Sequence, residues 1–156
     1  MFRLAEPYIV WTDGACHNNG RHDAEGAYGV YSESVLISKR LCDVCMRPHT
    51  NNKAELVAIQ AALHSLPPRI TAVIVRTDSE LCVNIINRWH FDWVKKGGVN
   101  AQGKVPANWT LICDLMERIH QLRNDGMSVE VEHVRGHADD FGNQQAHMLA
   151  QRALKA

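Results

Sequence analysis

The chain has no run of about 18 apolar residues, so no segment is long enough to cross a membrane as a helix. It has no excess of either charge. Lys plus Arg and Asp plus Glu both number 17, and the net charge is zero with His neutral. Affinity for a polyanion must then come from local patches rather than a global field. It lacks an even, clustered set of cysteines. Five are scattered as Cys16, Cys42, Cys45, Cys82 and Cys113. That argues against the disulfide framework of a secreted protein and for an intracellular, reducing compartment. The start, MFRLAEPYIVW, has one Arg, an early Glu and no long apolar stretch, so no signal or transit peptide is expected. There is no internal repeat, no low-complexity tract and no sign of oligomerisation, and a monomer is expected.

What is present suits one globular domain over residues 1–156. An apolar fraction of 46% and a charged fraction of 22% exclude disorder, a collagen-like fibre and a charged-tail protein. Nine His residues make the surface charge sensitive to pH.

Residues 8–12 (YIVWT) form a short apolar run and read as a buried strand, with a turn at Asp13-Gly14. Residues 15–26 read as a loop, and residues 27–32 and 35–42 as hairpin strands. Residues 51–66 read as a helix, capped by Asn51 or Asn52 and stopped by Pro67-Pro68. Its inward stripe is Glu55, Ile59, Ala62, Leu63 and Leu66. Residues 71–77 (TAVIVRT) read as a second central strand, residues 80–89 and 108–122 as helices, and residues 128–134 as an edge strand. A last helix opens at Gly142 or Asn143 and runs to about Leu154. The fold class is therefore α/β: a five-stranded mixed sheet flanked by helices.

Asp13 and Asp78 each follow the carboxyl end of an apolar central strand, where open α/β sheets bind ligands. If the two strands pair in parallel, the carboxylates face each other across roughly 5 Å. Glu55 begins the inward stripe of a helix, a position a purely structural helix leaves apolar. Three convergent carboxylates repel one another, and a divalent cation resolves that repulsion. Oxygen ligation of this kind suits Mg²⁺ or Mn²⁺. Taken singly, an Asp before Gly or Ser is also an ordinary turn or cap signal.

Four separated segments carry a resemblance: YIVWTDGAC at 8–16, TNNKAEL at 50–56, RTDSE at 76–80 and HVRGHA at 133–138. In this order they resemble the motif set of type 1 ribonuclease H, and Gly142-Asn143-Gln144-Gln145-Ala146 is similar to the start of that family's final helix. The resemblance spans nearly the whole chain. It implies an RNase H-like fold with strand order 3-2-1-4-5. It also implies an endonuclease that cuts the RNA strand of an RNA–DNA hybrid with two Mg²⁺ or Mn²⁺ ions, leaving 5′-phosphate and 3′-hydroxyl ends. Asp13, Glu55 and Asp78 match three of its four metal-binding acids. His137 matches the loop histidine that assists proton movement or product release.

The fourth acid is absent, and His147 stands in its place. An imidazole still binds divalent ions, but it is neutral and favours softer metals than Mg²⁺. Three outcomes are open: His147 ligates metal, it stands beside a metal held through water, or the enzyme is weak or prefers Mn²⁺. Asp139 and Asp140 are candidates to compensate. The rival reading is a weak or inactive hybrid-binding module.

For substrate, Trp89, Trp93, Lys95, Lys96, Lys104 and Trp109 interleave aromatic and basic residues, suited to phosphates, sugars and bases. The segment resembles the family's basic protrusion, and Trp89 and Trp93 its DNA-channel aromatics. By the resemblance, Thr50 and Asn108 hold a DNA phosphate. The accompanying Arg is Pro48 here, with Arg47 one place off. Asn51 and Asn52 match residues that read RNA 2′-hydroxyls, the groups that distinguish RNA from DNA. Cys16 and Asn19 are placed on the RNA side. Cys42, Cys45 and His49 offer only three ligands to zinc and read as ordinary side chains.

Overall fold

The apolar runs that begin at Tyr8 and Ala72 become neighbours at the centre of one sheet. The computed structural model describes residues 6–41, 47–136 and 140–156. Its strands are β1 (Tyr8–His17), β2 (Glu25–Ser32), β3 (Leu36–Arg40), β4 (Ala72–Thr77) and β5 (Ser128–His133). They lie in the order β3-β2-β1-β4-β5, as expected. β1, β4 and β5 run parallel, while β2 is antiparallel to both β1 and β3.

β1 is longer than its apolar run. The expected turn at Asp13-Gly14 does not form, because β2 pairs with β1 as far as His17↔Glu25. The parallel ladder with β4 stops earlier, at Thr12↔Thr77. Asp13 is thus inside a strand yet just past the end of the parallel pairing, and Asp78 stands just past the same end of β4.

α1 (Asn51–His64) is capped by Thr50, not by Asn51 or Asn52. Thr50 has the extended backbone of an N-cap, and its hydroxyl accepts a hydrogen bond from Lys53 N at 3.1 Å. The helix ends before Pro67-Pro68, so Leu66 packs on the core from beyond it. α2 (Glu80–Asn84) passes through a π-helical turn (Ile85–Trp89) into α3 (His90–Lys95), so this helix outlasts its expected end at Trp89. α4 (Trp109–Asn124) and α5 (Phe141–Lys155) follow.

One face of the sheet presents Val10, Val30, Val73, Val75, Val129 and Val131 to Leu56, Ile59 and Leu63 of α1 and Ile112, Leu115 and Ile119 of α4. Burying each of the larger side chains contributes about 1.5–3 kcal/mol. α5 covers β1, β2 and β3 on the opposite face through Ala146, Leu149, Ala150 and Ala153. β5 forms the outer edge, with Val129 and Val131 inward and Ser128 and Glu130 exposed. Among the described residues no helix is long and apolar enough to cross a membrane.

Candidate active site

A close approach between α1 and β1 assembles the acidic cluster. A Cβ at Gly14 would lie 2.5 Å from Glu55 N and 2.6 Å from Ala54 C, so only glycine lets the first turn of α1 sit so low. That contact carries Glu55 onto Asp13. β4 supplies Asp78 from the neighbouring parallel strand. Ligand atoms of Asp13, Glu55 and Asp78 all lie within 4.8 Å of one another. Among the described residues no other group of three such side chains does so.

The cluster is expensive to charge. Burial first, then the charges of Asp13 and Asp78, push the Glu55 carboxyl well above its ordinary value of 4.5, against the backbone of Gly14. Burial first and Asp13 second raise Asp78, while His147 and a backbone bond draw it down. Glu55 Oε2 is buried with no hydrogen-bond partner. An unpartnered carboxylate oxygen among two others is what an oxygen-preferring cation would satisfy. The residues therefore fit a divalent ion such as Mg²⁺ or Mn²⁺.

His147 reaches the cluster from the other face of the sheet. Gly29 pairs with Asp13 across the hairpin. A Cβ there would lie 2.2 Å from Ala146 O, so α5 rests directly on the β2 backbone. His147 follows Ala146, and its Nδ1 lies 2.9 Å from Asp13 Oδ2. It contacts one acid of the cluster and is not among the three groups that converge. Asp140 is not among the three groups that converge. Its carboxylate caps α5, accepting from Asn143 N at 2.9 Å, which also starts the helix earlier than expected. Asp139 and His137 lie outside the described residues.

Of the residues expected to touch substrate, Asn19, Thr50, Asn51, Asn52 and Asn108 line one cleft of about 430 Å³ together with Pro48, Lys53 and Ala107, while Cys16, Trp89, Trp93, Lys95 and Lys96 lie outside its lining. Asn19 Oδ1 accepts from Asn51 N at 2.7 Å, tying the loop after β1 to the start of α1. Asn108 begins α4 in a left-handed conformation and makes no side-chain cap bond. Lys53 is the residue that motif reading missed. Its ammonium donates to Pro48 O at 2.8 Å and borders the cleft. A basic residue one turn into a helix that starts beside a polar loop was the available signal. Arg47 instead donates to the carbonyls of His22 and Ala24.

Cys16 is half-buried on β1, its thiol pushed up by burial against a backbone bond to Gly20. Trp89, Trp93 and Trp109 are half-buried and packed against the core. Trp93 stands 6.2 Å from Trp89 and 6.3 Å from Trp109, centroid to centroid. They hold the basic segment to the body and leave part of each ring accessible. Lys95, Lys96 and Lys104 are exposed beside them. Cys42 and Cys45 lie outside the described residues, and His49 is buried.

Comparison with known proteins places this geometry. The family model described as RNase H matches residues 5–155. Ribonuclease H of Acidovorax sp. (strain JS42) is 35% identical over 147 residues, covering 94% of each chain. Ribonuclease H1 of Mus musculus is 32% identical over 156 residues. The match covers 97% of this chain, which spans only 52% of the mouse protein. Among solved structures, LC9-RNase H1, described as a type 1 RNase H with the type 2 active-site motif, superposes with a TM-score of 0.64 at 27% identity. That match covers 98% of this chain and 75% of the other. A family match over nearly the full length, a strand order and an acidic triad all agree, and the chain belongs to the ribonuclease H family.

Proposed function

We propose that this chain is an endoribonuclease that hydrolyses the RNA strand of RNA–DNA hybrids, with two Mg²⁺ or Mn²⁺ ions at Asp13, Glu55 and Asp78. The convergence of those three carboxylates within 4.8 Å is the observation that carries the reading. When bound, the ions would activate a water and stabilise the departing 3′-oxygen. The protein's own part is to hold the carboxylates close, although burial and mutual repulsion disfavour their ionised forms.

Substrate grip follows from the cleft. Asn51 and Asn52 stand exposed at the start of α1, where their amides can bond RNA 2′-hydroxyls. Asn19 and Cys16 extend that side. Thr50 and Asn108 flank a position for a DNA phosphate, and Lys53 supplies the positive charge that Pro48 does not. Trp89 and Trp93 present rings, and Lys95 and Lys96 charges, to the DNA strand. His137, on the segment after β5, is assigned to proton movement or product release.

The test is cleavage of a labelled RNA–DNA hybrid, beside RNA duplex and DNA duplex, in Mg²⁺, in Mn²⁺ and with chelator. Metal-dependent cutting of the hybrid's RNA alone, lost in Asp13→Asn, is the expected result. Hybrid binding without cutting in either metal would instead make the chain a binding module.

A further inference from the structure

We propose that His147 is a positioning residue for Asp13 and not a fourth metal ligand: it donates from Nδ1 to Asp13 Oδ2 and holds that carboxylate in the cluster. The inference rests on the reading of Asp13, Glu55 and Asp78 as a cation site. Its geometry is specific. The Nδ1–Oδ2 separation of 2.9 Å is that of a made hydrogen bond. An ionised carboxylate only accepts, so in this bond Nδ1 is the donor.

The partners differ in freedom. The Asp13 side chain is 4% exposed and the His147 side chain 59%. The buried acid gains a side-chain donor from a residue that approaches from solvent. Asp13 still has its second oxygen for an ion, since an ionised carboxylate offers about four lone-pair sites. Ligation through Nδ1 would instead break the bond to Asp13. Nδ1 is already engaged by Asp13, and the ring is not among the three. The α5 backbone is held at Gly29 by Ala146, which sets where the imidazole stands. Hydrogen-bond partners of ligating side chains commonly change metal affinity or activity by about 10–100-fold when removed.

Two amides separate the roles. In His147→Asn the amide nitrogen falls near the place of Nδ1 and can donate to Asp13. In His147→Gln the amide reaches toward the place of Nε2. Titration calorimetry with MgCl₂ or MnCl₂ alone, without nucleic acid, reads the affinity of the intact chain. Wild type and His147→Asn are expected to bind alike, and His147→Ala about ten-fold more weakly. Equal weakness of the Asn and Ala variants would overturn the proposal, as would retention by Gln but not Asn, or no loss in Ala.

An imidazole ¹⁵N spectrum of the wild-type protein needs no variant. It should show a protonated Nδ1 and an Nε2 resonance unmoved by saturating Mg²⁺. A large Nε2 shift on adding Mg²⁺ marks direct ligation and sinks the idea. Neither readout uses a hybrid, so failure to cut RNA is distinguishable from failure of this role.

Discussion

Glu55 shows how folding and ion binding oppose each other at a single residue. Its carboxyl and that of Asp78 are raised in the folded protein, chiefly by burial and then by neighbouring carboxylates. The folded state therefore holds more protons than the unfolded chain once the pH passes the ordinary carboxylate range. Stability present below about 4.5 is lost as the pH rises through the raised values. In chelator, the melting temperature is expected to fall across that window. Glu55→Gln should flatten the fall and stabilise the metal-free protein at neutral pH. A flat wild-type profile would count against the strain. Lys53 offers a second residue-scale prediction. If it meets a phosphate, Lys53→Ala should weaken hybrid binding and lower the slope of log K against log salt by about 1. An unchanged slope would remove Lys53 from the interface.

At the scale of elements, α5 and α1 are the levers that bring side chains from opposite faces to one strand. α5 depends on the absence of a side chain at Gly29. Gly29→Ala would drive a methyl into Ala146 O at 2.2 Å, with backbone on both sides and no flexible group to yield. Overpacking of this kind costs about 1–3 kcal/mol, and it should displace His147 from Asp13. Denaturant unfolding reads the first effect and metal titration the second. The far end of α5 is clamped by Arg40, which donates to the carbonyls of Ala153, Leu154 and Ala156 and pairs with Glu25 at 3.2 Å. The edge strand β3 thus closes the helix that its neighbour β2 supports.

For the whole molecule, a net charge of zero means that neither metal nor nucleic acid is drawn by a global field. Attraction is local: three carboxylates at one end of the sheet, lysines in the cleft and on the basic segment. An ion bound only by the folded chain stabilises it by mass action. At 100-fold excess over its dissociation constant, Mg²⁺ or Mn²⁺ should raise the melting temperature by roughly 5–10 °C. Chelator should reverse the rise, and Asp78→Asn should reduce it. A melting curve indifferent to both ions would contradict the site.

Much of this was legible without coordinates, because it depends on neighbours in the chain. The runs YIVWT and TAVIVRT read as buried strands and became neighbours, the α1 residues of the expected stripe face the core, and Asp13 and Asp78 fall just past the end of the parallel pairing between those runs. Those features follow from the periods of strand and helix and from local breakers. Tertiary structure decided the rest. Whether Asp13-Gly14 turns or continues depends on β2, which pairs through it. The cap on α1 went to Thr50 because that residue is held extended. Lys53 meets Asn108 across a cleft that no local pattern announces. The partner of His147 lies 134 residues away, and it is set by how closely α5 rests on Gly29. The sequence by itself determined which chemistry the chain carries. Packing between distant elements determined which atoms of it touch, because side-chain distances at the site depend on backbone approaches that local propensity does not encode.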